Sequence, residues 1–278
     1  MRAAVVLLAA AAGWAQTPDP MRPDPNMPRP VAVHDSVFLE ELTWLEVRDA
    51  QRAGKTTAIV ATGGIEMNGP YLALGKHNYI LRATTEAIAR KLGSALVAPI
   101  VAFVPEGDLD PPTQHMLFPG SISLREETFQ ALLTDIAASL KTGGFRDIVF
   151  LADSGGNVKG MQAVAAKLTR EWKGAARVHY IAEYYDYPGA ARFAEETLGV
   201  KQVPEGHHDD YVISTQMMTV DPLTVRMEQR RAKGLLKING ASLEPPRSIE
   251  HGRRIVNYRA ERAAAAIRKV VAASGTRR

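Results

Sequence analysis

The sequence predicts an α/β fold: three layers, with a mostly parallel central sheet covered by helices on both faces. Three observations lead there. Short β-branched or apolar runs recur at "TTAIVAT" (56–62), "SALVAPIVAFV" (94–104), "DIVFLA" (147–152) and "RVHYIAEYY" (177–185). Longer helical patterns separate them, and strands alternating with helices at this spacing build parallel sheets. The polar, glycine-containing segments follow the strands, where ligands bind in sheets of this kind.

The elements follow in order. "FLEELTWLEVRDAQRAG" (38–54) has apolar residues at helical spacing and stops at Gly54. The run at 56–62 suits a strand buried on both faces. Residues 78–92 read as a helix with Asn78 as N-cap and Gly93 as stop, and 94–104 as a strand. Residues 123–144 read as a helix capped by Ser123, with acids in its first turn. A strand at 147–152, a helix at 158–172, a strand at 177–185 and a shorter helix near 188–198 complete the alternation. A helix begins at "HHDDYVISTQMMTV", with Asp209 or Asp210 near its N-terminus, and a long charged, alanine-rich helix spans 247–273.

The N-terminus is read apart from the fold. Arg2, an unbroken apolar run over 3–12, and small residues Gly13 and Ala15 have the form of a secretory signal peptide cut after Ala15. Residues 16–37 follow as a proline-rich linker or arm, since "TPDPMRPDPNMPRP" forbids helix and disfavours a sheet interior. The domain proper is expected over 38–278, in a periplasmic or secreted protein. Beyond the extreme N-terminus nothing approaches a membrane span, so no membrane association is expected after cleavage.

The chain has no cysteine, which excludes disulfides, a thiol nucleophile and a thiolate metal site. Without residues 1–15 it carries 33 basic and 30 acidic residues, net +3. The positive charges are scattered, with no basic stripe interleaved with aromatics, so nucleic acid is not an expected partner.

The stretch that carries chemistry is "GGIEMNGPYLALGKHN", 63–78. It should share one mouth with "PEGDLDPPTQH" and "DSGGN", which also follow strands. The polar groups there are Glu66, His77, His115 and Asp153, joined later by His207, His208, Asp209 and Asp210. Carboxylates with imidazoles suit zinc, manganese or iron when thiolates are lacking. Singly, each is an ordinary loop polar and Asp153 an ordinary cap. "DSGGN" lacks the lysine of a phosphate-binding loop, and Ser154 does not sit in a G-x-S-x-G elbow.

These segments resemble the creatininase (creatinine amidohydrolase) family. Its E-Q-H-G-P-H-L-P-L-G-T-D is similar to "EMNGPYLALGKH", and its His-x-x-F-P-G-T-I-S to "HMLFPGSIS". Its G-F-R-x-I-V-x-x-N-G-H-G-G-N resembles "GFRDIVFLADSGGN", and its H-A-G-x-x-E-T-S-x-M with D-P resembles "HDDYVISTQMMTVDP". "ELTWLEV" resembles the family's first helix. The resemblance spans about residues 38–226. It implies a three-layer α/β/α domain, often hexameric, that uses two divalent ions to hydrolyse amide bonds of small or cyclic substrates.

Several ligand positions are altered. The signature Glu is Glu66, but its His is Asn68. The bridging Asp is His77, the His of the glycine-rich loop is Ser154, and the late Glu is Ile213. His208 matches the family's proton shuttle. The resemblance with these replacements implies a remodelled, single-metal site from Glu66, His77, Asp153, His208 and one of Asp209 or Asp210. Glu66 and His208 are the expected catalytic residues, and Asn68, Tyr71, His115, Ser154 and Asn157 the expected substrate contacts. The substrate is a small amide-like molecule, the ion is Zn, Mn or Fe, and the assembly a homo-oligomer. The alternative is a non-catalytic member of the fold that binds a small ligand or partner.

Overall fold

The structure, a computed structural model, describes residues 21–202 and 209–275. Residues 21–33 contain turns and no helix or strand, and a compact unit begins at His34. In chain order that unit contains α1 (Trp44–Arg52), β1 (Thr57–Thr62), α2 (Lys76–Leu92), β2 (Ala95–Val97) and α3 (Glu126–Thr142). Then come β3 (Asp147–Ala152), α4 (Val158–Glu171), β4 (Arg177–Tyr180), α5 (Tyr187–Leu198), α6 (Tyr211–Met218) and α7 (Met227–Ala232). A small hairpin, β5 (Lys237–Ile238) and β6 (Ala241–Ser242), leads into α8 (Arg247–Gly275). Among the described residues no helix is long and apolar enough to cross a membrane.

The first four strands form one sheet in the order β2-β1-β3-β4, all parallel. Alternate residues of the central strands face opposite layers, as the strand period of two requires. Ile59, Ala61, Val149 and Leu151 pack against Leu81 and Ile88 of α2 and Ala260, Ala264 and Ile267 of α8. Val60, Ile148 and Phe150 face Phe129 and Leu133 of α3 and Met161, Val164 and Leu168 of α4. Every residue of β1 and β3 is buried, which explains why their centres, Ala58–Ala61 and Ile148–Ala152, read as apolar runs. Each fully buried Val, Leu, Ile or Phe contributes about 1.5–3 kcal/mol relative to exposure. The mostly parallel sheet in three layers is the fold expected from the sequence.

Several boundaries differ from expectation, each for a local reason. The first helix starts at Trp44, because Thr43 and Glu46 form a reciprocal capping box. Strand β2 ends at Val97, and Pro99 follows; only single bridges at Val101 and Val104 continue the pairing. Ser123 does not cap α3, whose N-cap is Arg125. Strand β4 stops at Tyr180 and gives way to a 3-10 turn over Ala182–Tyr184. Helix α2 begins two residues before Asn78, which has a different task, described next.

Candidate active site

Beyond the carboxyl ends of β1 and β3 lies a cavity of about 410 Å³, a volume suited to a small molecule. Its walls include Glu66, Lys76 and His77 from the first strand-end segment and Glu106 and His115 from the second. Asp153, Ser154, Gly155 and Gly156 come from the third. The three segments expected to share a mouth do share it.

The loop after β1 is folded back by Asn78. Its side-chain amide donates to Gly64 O (3.1 Å) and its carbonyl accepts from Gly64 N (3.3 Å). A Cβ on Gly63 would lie 2.0 Å from Asn78 Oδ1, so only glycine permits this closure. The amide of Asn68 braces the same loop by donating to Glu66 O at 2.9 Å. The result brings Glu66 against the first turn of α2. Glu66 Oε1 lies 2.8 Å from Lys76 Nζ and 3.1 Å from His77 Nε2, and its Oε2 lies 3.4 Å from His115 Nε2.

A second buried cluster meets this one at His77. Its Nδ1 lies 2.7 Å from Asp153 Oδ2, which also accepts from Tyr187 Oη at 2.9 Å. Asp153 Oδ1 accepts from Arg259 Nη2 at 2.7 Å. Arg259 stacks against the rings of Tyr184 and Tyr187, and its Nη1 donates to Gln216 Oε1. Burial alone would raise the Asp153 pKa, but the charges of Arg259 and His77 outweigh it and hold the carboxyl at about 2.

The opposite wall comes from the long excursion between β2 and α3. Ser123 Oγ accepts from Glu106 N (2.9 Å) and donates to Gly107 O (2.7 Å), and His115 N donates to Glu106 O (3.2 Å). The Glu106 carboxyl is buried beside Glu66. Burial first, and the Glu66 charge second, push its pKa up to about 9. Its Oε1 is buried without a hydrogen-bond partner among the described residues.

The expected site residues divide into distinct groups. Glu66, His77, His115, Asp153, Ser154 and Asp210 line the cavity. Asp153 and His77, expected as metal ligands, are hydrogen-bonded to each other, Asp153 also to Tyr187 and Arg259 and His77 also to Glu66. Asp210 is the N-cap of α6, accepting from Ile213 N at 2.7 Å. Asp209 is not on the cavity wall: Arg230 Nη2 approaches both its oxygens, at 2.7 and 2.8 Å. Asn68, Tyr71 and Asn157, expected as substrate contacts, lie off the wall as well. Asn68 braces the loop, Tyr71 packs under the Arg230 guanidinium, and Asn157 donates to Thr62 Oγ1 and Gly63 O. His208 lies outside the described residues.

The sequence reading passed over Glu106, Lys76, Tyr185, Tyr187 and Arg259. Glu106 follows a predicted strand and could have been found by the rule that found His115. Lys76 sits beside His77 in the segment singled out. Arg259 had no signal, because it lies in a helix whose pattern reads as a charged surface.

The sequence profile of the creatininase family, described as creatinine amidohydrolase, matches residues 40–267. This chain belongs to the creatininase family. The chain is 31% identical over 125 residues to a mycofactocin precursor peptide peptidase from Mycolicibacterium smegmatis. That match spans 43% of this chain and about half, 48%, of the peptidase. Its fold is similar to that of a mutant creatininase in a Zn-Zn form, with TM-score 0.62 and 21% identity over 85% of this chain and 98% of that one. It is likewise similar to a creatininase Mn form, with TM-score 0.60 and 21% identity over 84% and 98% of the two chains.

The creatininase relatives named for Mn and Zn raise the question of whether this donor set fits a divalent ion. Glu66, Glu106 and His115 each offer one ligand atom, all within 4.8 Å of one another. Two buried carboxyls facing each other need a cation or a proton between them, and one buried oxygen of Glu106 has no hydrogen-bond partner among the described residues. The set fits one divalent ion. It is not the set expected from the sequence, since it shares only Glu66 with it.

Proposed function

We propose that this creatininase-family protein hydrolyses a C–N bond of a small amide or cyclic amide through a single divalent ion held by Glu66, Glu106 and His115. The observation that carries the reading is that group of three donors on the wall of a cavity sized for a small molecule. A divalent ion there supplies Lewis acidity that activates water and polarises a carbonyl. The chain's own residues do the rest. Asp153 and Tyr187 orient the His77 ring, and His77 and Lys76 fix the Glu66 carboxylate. Tyr185 and Gly155–Gly156 also line the cavity. His208 keeps the proton-transfer role that the family resemblance implies. We place the protein outside the cytoplasm, on the form of residues 1–15.

One observation favours the non-catalytic alternative. Asp153 and Glu66 each have an internal cation, Arg259 and Lys76. A cluster balanced in this way needs no metal to stay folded.

The test is metal analysis of the purified full chain, paired with hydrolysis of a panel of small and cyclic amides. Glu106→Gln and His115→Ala should each lose bound metal and hydrolysis together. Asp209→Asn, which alters the Arg230 pair away from the cavity, should keep its metal. Metal retained in both cavity variants would sink the ligand assignment, and metal without turnover of any amide would leave the binder.

A further inference from the structure

Lys76 is an anomaly. It is the first residue of α2, where the positive end of the helix disfavours a cation. It is 1% exposed, although lysines normally keep their ammonium in water. Both costs are accepted at one place, where Nζ lies 2.8 Å from Glu66 Oε1 and the lysine lines the cavity.

The two oxygens of Glu66 serve different neighbours. Oε1 faces Lys76 and His77, and Oε2 faces His115. That is the arrangement of a carboxylate shared between two cation positions. We propose that the Lys76 ammonium permanently fills one of them, standing in for a second metal ion and leaving a single position, at Glu66, Glu106 and His115, for a divalent ion. This rests on the single-metal reading above and deepens it: the site takes one ion because the protein supplies the other cation itself.

The consequence is a built-in opposition. The ammonium and the ion are like charges on either side of one buried carboxylate, where Coulombic effects are stronger than in water and little screened by salt. Lys76 therefore holds the Glu66 carboxylate in position without metal, and weakens metal binding.

The test is calorimetric titration of the full chain with Mn²⁺, with thermal melts with and without the ion. The forms compared are wild type, Lys76→Met and Lys76→Arg. The Met variant keeps the bulk and removes the charge. It should bind Mn²⁺ about tenfold tighter or more and be stabilised more by the ion. Lys76→Arg should behave as wild type. Should the Met variant fail to fold, Lys76→Gln carries the same comparison.

Equal Mn²⁺ affinity in all forms overturns the role of Lys76 and leaves the single-metal reading standing. Binding by the neutral variants but not by wild type supports Lys76 as the resident cation and overturns metal dependence of the natural protein. No binding by any form overturns both.

Discussion

Arg259 Nη2 lies 2.7 Å from Asp153 Oδ1, both buried, so a residue of the last helix fixes the loop after β3. Removing one partner of such a pair leaves a buried charge and costs about 3–5 kcal/mol. Arg259→Met should destabilise the protein by that order in urea unfolding. The double variant Arg259→Met/Asp153→Asn should recover part of the loss. If the double variant is no more stable than the single, the pair is not what holds the loop.

The same pair predicts acid behaviour. Asp153 has a folded value near 2, below its ordinary 3.8, because Arg259 and His77 outweigh its burial. On acidification the unfolded chain therefore takes up this proton before the folded one. The contribution of Asp153 to stability is complete above 3.8 and is lost as pH falls through about 2. The urea midpoint of wild type should drop between about pH 4 and pH 2 by more than that of Asp153→Asn. Parallel curves would refute the linkage.

A glycine controls the second carboxylate. A Cβ on Gly64 would lie 2.0 Å from Glu106 Oε1. Gly64→Ala should therefore push the Glu106 side chain off its position and cost about 1–3 kcal/mol from overpacking. Metal content should fall with it, while far-ultraviolet circular dichroism stays that of the folded protein. Full metal content in this variant would remove Glu106 from the ligand set.

Export predicts a defined mature terminus. On the proposed reading of the apolar run and the Gly13 and Ala15 pattern as a cleaved signal, the first mature residue is expected near Gln16. Mass spectrometry of protein from the extracytoplasmic fraction should find a chain starting there, and one starting at Met1 would refute cleavage.

The sheet was legible because β1 and β3 are buried on both faces and therefore apolar between their polar ends. Strand β2 was read too long, because Val101 and Val104 look like strand residues but make only single bridges beyond Pro99. The mouth was legible from strand ends, and Glu66 from its place there. The proposed ligand set was not, because a carboxylate's role depends on which cation reaches it. Arg230 reaches Asp209 and Arg259 reaches Asp153, each through a contact far away in sequence. Glu106 keeps an oxygen without a hydrogen bond among the described residues, which only three-dimensional packing decides.

Two of the three proposed ligands, Glu106 and His115, ride on one contiguous excursion between β2 and α3, pinned by Ser123. Most of the packing lies in β1, β3 and the layers on them, and the excursion is rooted in that core through Val101 and Val104. The same short stretch of chain thus both fills the core at its root and presents two donors, a carboxylate and an imidazole, at its tip, so a change in how it packs would be felt at the cavity.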